Sequence, residues 1–240
     1  MITTHADAVG SLLRPPELLA VQKQLAAAAL SLSQFKEIED RAVDEAIALQ
    51  ESVGLEIVTD GEMRRQSFQS QMTAAVSGFG DFALDAFLWG EWYDEKGVQR
   101  KPRPRRLGAT SRLVRRRYLS ADEFVYLKSK TSRIPKITLP SPGLWANFWS
   151  PRYSRAAYPT LDAFLADIVN ILRDEVAEIA RLGARYIQLD APHYGLLLDP
   201  RTRAFYEKLG WSLSEWLSLG IELDNAVMAG FPGITFGFHV

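Results

Sequence analysis

A unit of amphipathic helix, glycine, short apolar strand and polar residue recurs along this 240-residue chain and constrains its fold most strongly. The first copy predicts a helix over residues 33–53 with Ser33 as its N-cap, followed by Gly54 and a strand. Helices that alternate with buried strands in this way are typical of parallel α/β folds. The five predicted strands lie around residues 3–10, 55–60, 134–139, 185–190 and 234–239.

Further helices follow from the same apolar spacing and from capping residues. Thr160 is placed to cap a helix that Gly183 ends, and a later helix covers residues 213–228. The segment Ser120-Ala121-Asp122-Glu123 has the sequence of a capping box and predicts a helix that continues to about Lys130. Together with the strands, these helices predict an α/β fold.

Polar side chains stand where the predicted strands end. The carboxyl ends of parallel strands meet at one edge of a sheet or barrel, and the loops that follow them carry the chemistry. Any single aspartate there could instead cap the next helix. Taken as a set, however, we expect these residues to converge on one site: Ser11, Asp60, Glu62, Ser141, Asp190 and His239.

Glu62 and Asp190 are the leading candidates for a ligand site. Both follow buried strands, where an ionised carboxylate is unfavourable unless it meets a cation or several hydrogen-bond donors. The pair could bind a primary ammonium, such as that of an amino acid, or act as a general acid and base. A structural alternative is ion pairing with neighbouring arginines, namely Arg64, Arg65 or Arg185. His239, a lone histidine, could be a core residue, a capping residue or a metal ligand.

Two segments lie outside the repeated unit. Residues from about 78 to 118 are aromatic and then strongly basic, and we interpret them as an inserted hairpin or arm over the mouth of the fold. Its basic face could be a solvated surface with an oligomer contact or a cationic surface for an anionic substrate tail. No nucleic-acid-binding motif accompanies it, so we expect no nucleic-acid partner. The aromatic loop Leu144–Trp149 could stack on a flat heterocycle or simply provide hydrophobic cover.

Composition excludes several classes of function. A net charge of −1 argues against a disordered chain or a general nucleic-acid binder, and 47% apolar residues can form a sizeable core. The absence of cysteine excludes disulfides, a thiol nucleophile and a cysteine-ligated metal built within this chain. The apolar stretch 18–30 is too short to span a bilayer, so we expect a cytoplasmic protein with no membrane partner. Glycine-rich nucleotide motifs and GxSxG are absent.

Four motifs, taken in order, resemble one protein family. They are Val9-Gly10-Ser11-Leu12-Leu13-Arg14-Pro15, Thr59-Asp60-Gly61-Glu62-Met63-Arg64-Arg65-Gln66-Ser67-Phe68, Thr138-Leu139-Pro140-Ser141-Pro142 and Tyr186-Ile187-Gln188-Leu189-Asp190-Ala191-Pro192. The set resembles the catalytic domain of cobalamin-independent methionine synthase, and more closely the short, single-domain relatives of that enzyme. The resemblance implies a (βα)8 TIM barrel.

The same resemblance implies an activity and a set of site residues. A methyl group would pass from a folate-type donor to the thiol of homocysteine or a similar acceptor, activated on zinc. Gly10 and Ser11 would bind the acceptor's carboxylate, Glu62 and Asp190 its ammonium, and His239 the zinc. The loop that would face the donor contains Ser141, Trp145 and Trp149.

The sequence also departs from the family pattern. Ala191 stands where the family has a glutamate, and the family's cysteine two residues after the position of His239 is absent. We count about five of eight βα units, so residues 1–240 are expected to form one barrel domain truncated at its C-terminus. The remaining zinc ligands would lie outside these residues, in a longer chain, a second chain or a homo-oligomer. Two alternatives stay open: an epoxide-opening thiol alkyltransferase, and a non-catalytic amino-acid-binding barrel relic.

Overall fold

A computed structural model describes residues 6–68, 70–81, 92–93, 99–100, 107–208 and 210–240. The helices are α1 (Pro16–Ala26), α2 (Leu32–Ser52), α3 (Ser70–Ala75), α4 (Ala121–Lys130), α5 (Leu161–Arg181), α6 (His193–Leu196), α7 (Pro200–Lys208), α8 (Leu213–Met228) and a 3-10 helix (Pro142–Phe148). The strands are β1 (Ile57–Val58), β2 (Val76–Gly80), β3 (Trp92–Tyr93), β4 (Gln99–Arg100), β5 (Gly108–Arg115), β6 (Ile134–Pro140), β7 (Tyr186–Asp190) and β8 (Thr235–His239). None of the helices in these ranges combines the length and apolar character needed to cross a bilayer.

A parallel sheet with the strand order β1-β6-β7-β8 organises the chain. Its register aligns Pro140 with Asp190 and Asp190 with His239, so the carboxyl ends of three neighbouring strands are level. The polar residues that end these strands therefore reach the same edge of the sheet, as the sequence predicts. The α/β class is confirmed, and closure of the sheet into a barrel stays a prediction.

Four of the five predicted strands are present in this sheet, and the prediction of a strand over 3–10 is wrong for its described part, residues 6–10. Here the backbone carbonyl of Val9 accepts hydrogen bonds from Lys136 Nζ at 3.2 Å and from Gln188 Nε2 at 2.7 Å. Side chains of the sheet thus hold this segment where backbone pairing was expected.

The sheet and its covering helices enclose the main apolar core. Buried side chains of α5 and α8 pack with those of β6, β7 and the 3-10 helix in one cluster. A second, smaller cluster joins α1 and α2 to Val58 and Leu127. The N-cap predicted for α5 is confirmed, since Thr160 accepts a hydrogen bond from the backbone of Ala163.

The N-terminus of α2 lies two residues earlier than predicted. Ser31, and not Ser33, is the N-cap: its side chain accepts from Gln34 N at 3.3 Å, and the Gln34 side chain accepts from Ser31 N at 3.2 Å. This reciprocal capping box satisfies two helix-end donors, which a cap at Ser33 would leave exposed.

The capping box predicted at Ser120–Glu123 does not form. Ser120 is the N-cap of α4, but its side chain caps no backbone N–H and instead accepts from Arg65 Nη2 at 3.3 Å. Glu123 also turns away from the helix end, because its carboxylate accepts from Arg65 Nη2 at 2.8 Å. A buried guanidinium therefore competes successfully for both side chains.

An antiparallel pair, β2 with β5, lies at the two ends of the predicted arm. Phe79 packs against Trp145 and Phe148, with ring centroids 5.8 Å and 6.3 Å apart. Of the basic residues on β5, Arg112 lies 3.6 Å from Asp167 and Arg115 lies 3.1 Å from Asp174, both on α5. These two arginines favour the solvated-face interpretation. The rest of the arm falls largely outside the described residues, and its character stays a prediction.

The capping box of α2 is testable by mutation. We expect Ser31→Ala to lower the free energy of unfolding by about 1 kcal/mol, because the backbone N–H of Gln34 loses its acceptor, Ser31 Oγ. Ser33→Ala is the matched control and should change stability by clearly less. Urea unfolding of both variants checks the assignment; equal losses would contradict it.

Candidate functional site

A pocket of about 260 Å³ opens at the carboxyl end of the parallel sheet. Five of the residues predicted to bind substrate or metal meet here: Gly10, Ser11, Glu62, Asp190 and His239. Apolar side chains complete the lining, namely Val9, Phe68 and Pro192. The sheet places two of these residues directly, since Asp190 ends β7 and His239 ends β8.

The turn after β1 brings Glu62 into the pocket in an uncommon backbone conformation. Glu62 has φ of 54°, in the left-handed region, directly after Gly61 at φ 67°. Thr59 Oγ1 accepts from Gly61 N at 2.9 Å and Asp60 Oδ1 accepts from Glu62 N at 2.9 Å, which fixes this turn. A non-glycine residue in this region is strained, and such strain clusters at functional sites.

The Glu62 carboxylate is held by three donors. Thr138 Oγ1 donates to Oε1 at 2.6 Å, Ser11 Oγ donates to Oε2, and Arg65 Nη1 approaches Oε1 at 3.4 Å. Its position also depends on Gly10, because a Cβ added there would lie 2.8 Å from Glu62 Oε1. Any side chain at residue 10 would displace the carboxylate.

Arg65 is the buried cation next to this carboxylate. Its side chain is 1% exposed and donates to Glu123 Oε2 through Nε at 3.0 Å and Nη2 at 2.8 Å. The ion pair between Glu62 and Arg65, predicted as a structural alternative, therefore exists, but its contact is long at 3.4 Å. Arg65 makes the shorter contact with Glu123. Burial, with the nearby charge of Glu123, also raises the pKa of Asp60 to about 6. One guanidinium thus faces more than one negative charge.

Asp190 has no arginine or lysine in contact within the described residues. Its Oδ1 accepts from Gln188 Nε2 at 2.6 Å and lies 3.3 Å from His239 Nδ1. Burial raises the pKa of the Asp190 carboxyl, and the negative charge of Glu62 acts in the same direction. A buried carboxylate without an arginine or lysine partner is unfavourable, so this side of the pocket favours a cationic ligand.

His239 is oriented as a metal-binding histidine could be. Its contact with Asp190 uses Nδ1, which would leave Nε2 for a metal, and carboxylate–histidine pairs of this kind orient many metal ligands. The described residues nevertheless include no group of three or more histidine, cysteine, aspartate or glutamate side chains that could hold a metal ion. These residues therefore do not fit a complete zinc site.

The predicted donor-facing residues lie outside this pocket lining. Ser141 is buried and donates to Asp224 Oδ1 at 2.7 Å. Trp145 is fully buried against Phe148, whereas Trp149 is partly exposed and donates Nε1 to the carbonyl of Tyr158 at 3.0 Å. The role of this loop toward a donor stays a prediction, and Trp145 would have to become exposed to take part.

Comparison with known proteins identifies the family. The family model for the catalytic domain of cobalamin-independent synthase matches residues 1–219 of this chain. The chain belongs to the cobalamin-independent methionine synthase family. The match ends before His239, so it does not bear on that residue.

Similar curated proteins agree with this assignment. The chain is 29% identical over 233 residues to a methionine synthase of Pyrococcus abyssi, covering 97% of this chain and 60% of that protein. It is 25% identical over 241 residues to the uncharacterized protein YxjH of Bacillus subtilis, covering 98% of this chain and 61% of that protein. The chain thus spans about three-fifths of the length of these relatives.

Solved structures show the same fold. The putative vitamin-B12-independent methionine synthase of Listeria monocytogenes matches with a TM-score of 0.73 at 18% identity, covering 99% of this chain and 65% of that one. A B12-independent methionine synthase from a Shewanella species, in complex with selenomethionine, matches with a TM-score of 0.63 at 17% identity, covering 88% and 54%.

Several residues that hold the pocket carboxylates in place were not predicted from the sequence. Thr138 binds Glu62, while Gln188 binds Asp190 and also accepts from Lys136 Nζ at 2.8 Å. One signal was available: Lys136 and Gln188 are polar residues that stand between apolar neighbours within buried strands. Polar side chains in buried strands are stable only when they form hydrogen bonds with other buried groups.

His193, which opens α6, is a further buried group of this family member. It is 7% exposed, packs on the ring of Tyr194 at 4.3 Å, and neither ring nitrogen has a hydrogen-bond partner among the described residues. Burial lowers the pKa of His193 to about 4, so the ring is neutral at physiological pH.

This depressed pKa makes a stability prediction. The unfolded chain binds a proton at His193 below about pH 6.5, whereas the folded chain does so only below about pH 4. His193 therefore destabilises the fold increasingly as pH falls through this window, by about 3 kcal/mol in total. We expect the stability difference between wild type and His193→Phe to shift by that amount in favour of the variant. Urea unfolding from pH 7 to 4 measures it, and a constant difference would contradict the assignment.

Proposed function

We propose that this chain binds the amino-acid acceptor of a methionine-synthase-like methyl transfer. The acceptor would be homocysteine or a similar thiol, and the methyl donor a folate-type cosubstrate. Family membership and the methionine synthases among its relatives support a methyltransferase. The chain spans about three-fifths of the length of those relatives, so we extend the methyltransferase activity to it as a proposal.

The observation that carries the proposal is the imbalance of buried charge around the pocket. Glu62 and Asp190 both line it, while the guanidinium that contacts the Glu62 carboxylate, Arg65, is shared with Glu123. Arg14 Nη2 also lies beside Glu62, but it donates to the backbone carbonyls of Glu62 at 3.0 Å and Arg65 at 2.6 Å. A primary ammonium brings a positive charge and three donors to such a site, which would satisfy both carboxylates at once. The selenomethionine in complex with the Shewanella protein is a ligand of this class.

The same pocket lining also offers hydrogen-bond donors for the carboxylate of an amino acid. Within the described part of the chain, the backbone N–H groups of Gly10 and Ser11 form no hydrogen bond. Both residues line the pocket, so their N–H groups are suited to a ligand carboxylate. Glu62 and Asp190 would then orient the ammonium, and the apolar walls at Phe68 and Pro192 would exclude water from the side chain.

The family resemblance extends beyond the acceptor pocket. We propose a (βα)8 barrel, a cytoplasmic location, and Ser141, Trp145 and Trp149 in the loop that faces the donor. We also propose His239 as one zinc ligand, with the remaining ligands outside these 240 residues.

Substitution of the two carboxylates tests the proposal. We expect Glu62→Gln and Asp190→Asn each to weaken binding of L-homocysteine by at least about tenfold, because a charge-assisted hydrogen bond to the ammonium is lost. Glu56→Gln, at an exposed position just before β1, is the matched control and should bind like wild type. Isothermal titration calorimetry gives the affinities.

The outcomes separate the alternatives. Unchanged affinity in both pocket variants would remove the ammonium role and with it the proposed function. Retained amino-acid binding without zinc uptake by the protein, alone or with any partner chain, would favour the non-catalytic barrel relic over both transferases.

A further inference from the structure

Lys136 is a buried ammonium in the middle of the parallel sheet. It lies on β6, between β1 and β7, and its side chain has 0% exposure. A buried ammonium is strongly unfavourable without partners. Its place in β6 between the apolar residues Pro135 and Ile137 therefore requires a specific reason.

The partners of Lys136 supply that reason. Its Nζ donates to Asp7 Oδ2 at 2.6 Å, to the carbonyl of Val9 at 3.2 Å, to Gln188 Oε1 at 2.8 Å and to the carbonyl of Ala8. An ammonium carries three hydrogens, so these acceptors use its whole donor capacity. All of the partners except Gln188 belong to one short segment, residues 7–9.

Residues 7–9 lead directly into the wall of the pocket. Val9, Gly10 and Ser11 line the cavity, yet residues 6–10 pair with no strand in the described sheet. Besides Lys136, this segment is held by Gln188 Nε2, which donates to the carbonyl of Val9 at 2.7 Å. Side chains from the sheet thus determine where this segment lies relative to the rest of the pocket.

The same lysine is connected to the opposite wall. Gln188 accepts from Lys136 and donates to Asp190 Oδ1 at 2.6 Å, and its amide can make both contacts only in one orientation. Lys136 therefore fixes the direction of the amide that binds the Asp190 carboxylate.

We infer that Lys136 is a positioning residue. It fixes the Val9–Ser11 wall and the Asp190 carboxylate, which lie on two sides of the ligand pocket, in position relative to each other. The inference rests on the proposed function only in taking that ligand to be an amino acid. Lys136 itself is fully engaged beneath the pocket, so it acts through Val9 and Gln188 and not by contact with the ligand.

A spin label on the wall tests this inference without any ligand. The chain has no cysteine, so Val9→Cys provides a single labelling site, and Val9 is 54% exposed. We expect Lys136→Met to increase the mobility of the label in electron paramagnetic resonance spectra. Asp7→Ala removes one partner of Lys136 and leaves the buried side chain of residue 136 unchanged. It should give a smaller increase in label mobility. Lys130→Met, which removes an exposed lysine, is the matched control and should leave the spectrum unchanged.

Binding of L-homocysteine to the unlabelled variants provides the second measurement. We expect Lys136→Met to weaken binding by about tenfold, whereas Lys130→Met should have no effect. Unchanged label mobility in both Lys136→Met and Asp7→Ala would overturn the positioning role. If wild type binds no amino acid but label mobility rises as expected, the proposed function fails and the positioning role stands.

Discussion

The pocket depends on how a few buried charges are balanced beneath it. Arg65 is almost completely enclosed, and it donates to Glu62 and Glu123 as well as to the carbonyl of Thr138 at 3.1 Å. A guanidinium with several acceptors in fixed directions can be buried, whereas a carboxylate left over from such a network is unfavourable. Asp190 is that additional carboxylate, and its nearest donors are an amide and an imidazole. The fold therefore presents negative charge to the cavity, which a cationic ligand would compensate.

The parallel sheet explains why these charges meet. In-register pairing of β6, β7 and β8 brings Pro140, Asp190 and His239 level, although they are far apart in sequence. The strained turn at Gly61 and Glu62 then places a carboxylate from the neighbouring β1 over the same edge. Lys136 and Gln188 complete the arrangement from below, where they replace the backbone pairing that residues 6–10 lack.

Much of this organisation could be predicted from the sequence because it is local. Helix periodicity, glycine stops and polar strand ends are sufficient for four strands, for the N-cap Thr160 and for four residues of the pocket, namely Ser11, Glu62, Asp190 and His239. Gly10 was predicted only from the family resemblance. Two of the predictions that were wrong depend on distant partners, whereas the error at the N-cap of α2 is a local choice between the nearby serines Ser31 and Ser33. Ser120 and Glu123 read as a capping box, yet Arg65 lies more than 50 positions away and binds both. The first strand was likewise overridden by a lysine more than 120 positions distant. Sequence spacing alone carries no information about such partners.

The pocket is proposed to recognise the two ends of an amino acid through charge. Calorimetric titration with L-homocysteine and with its analogue lacking the amino group, 4-mercaptobutanoate, tests this claim most directly. The two ligands share the thiol, the chain length and the carboxylate, so their difference isolates the ammonium. We expect L-homocysteine to bind and the deaminated analogue to bind at least about tenfold more weakly. Equal affinity for the two ligands would contradict the account.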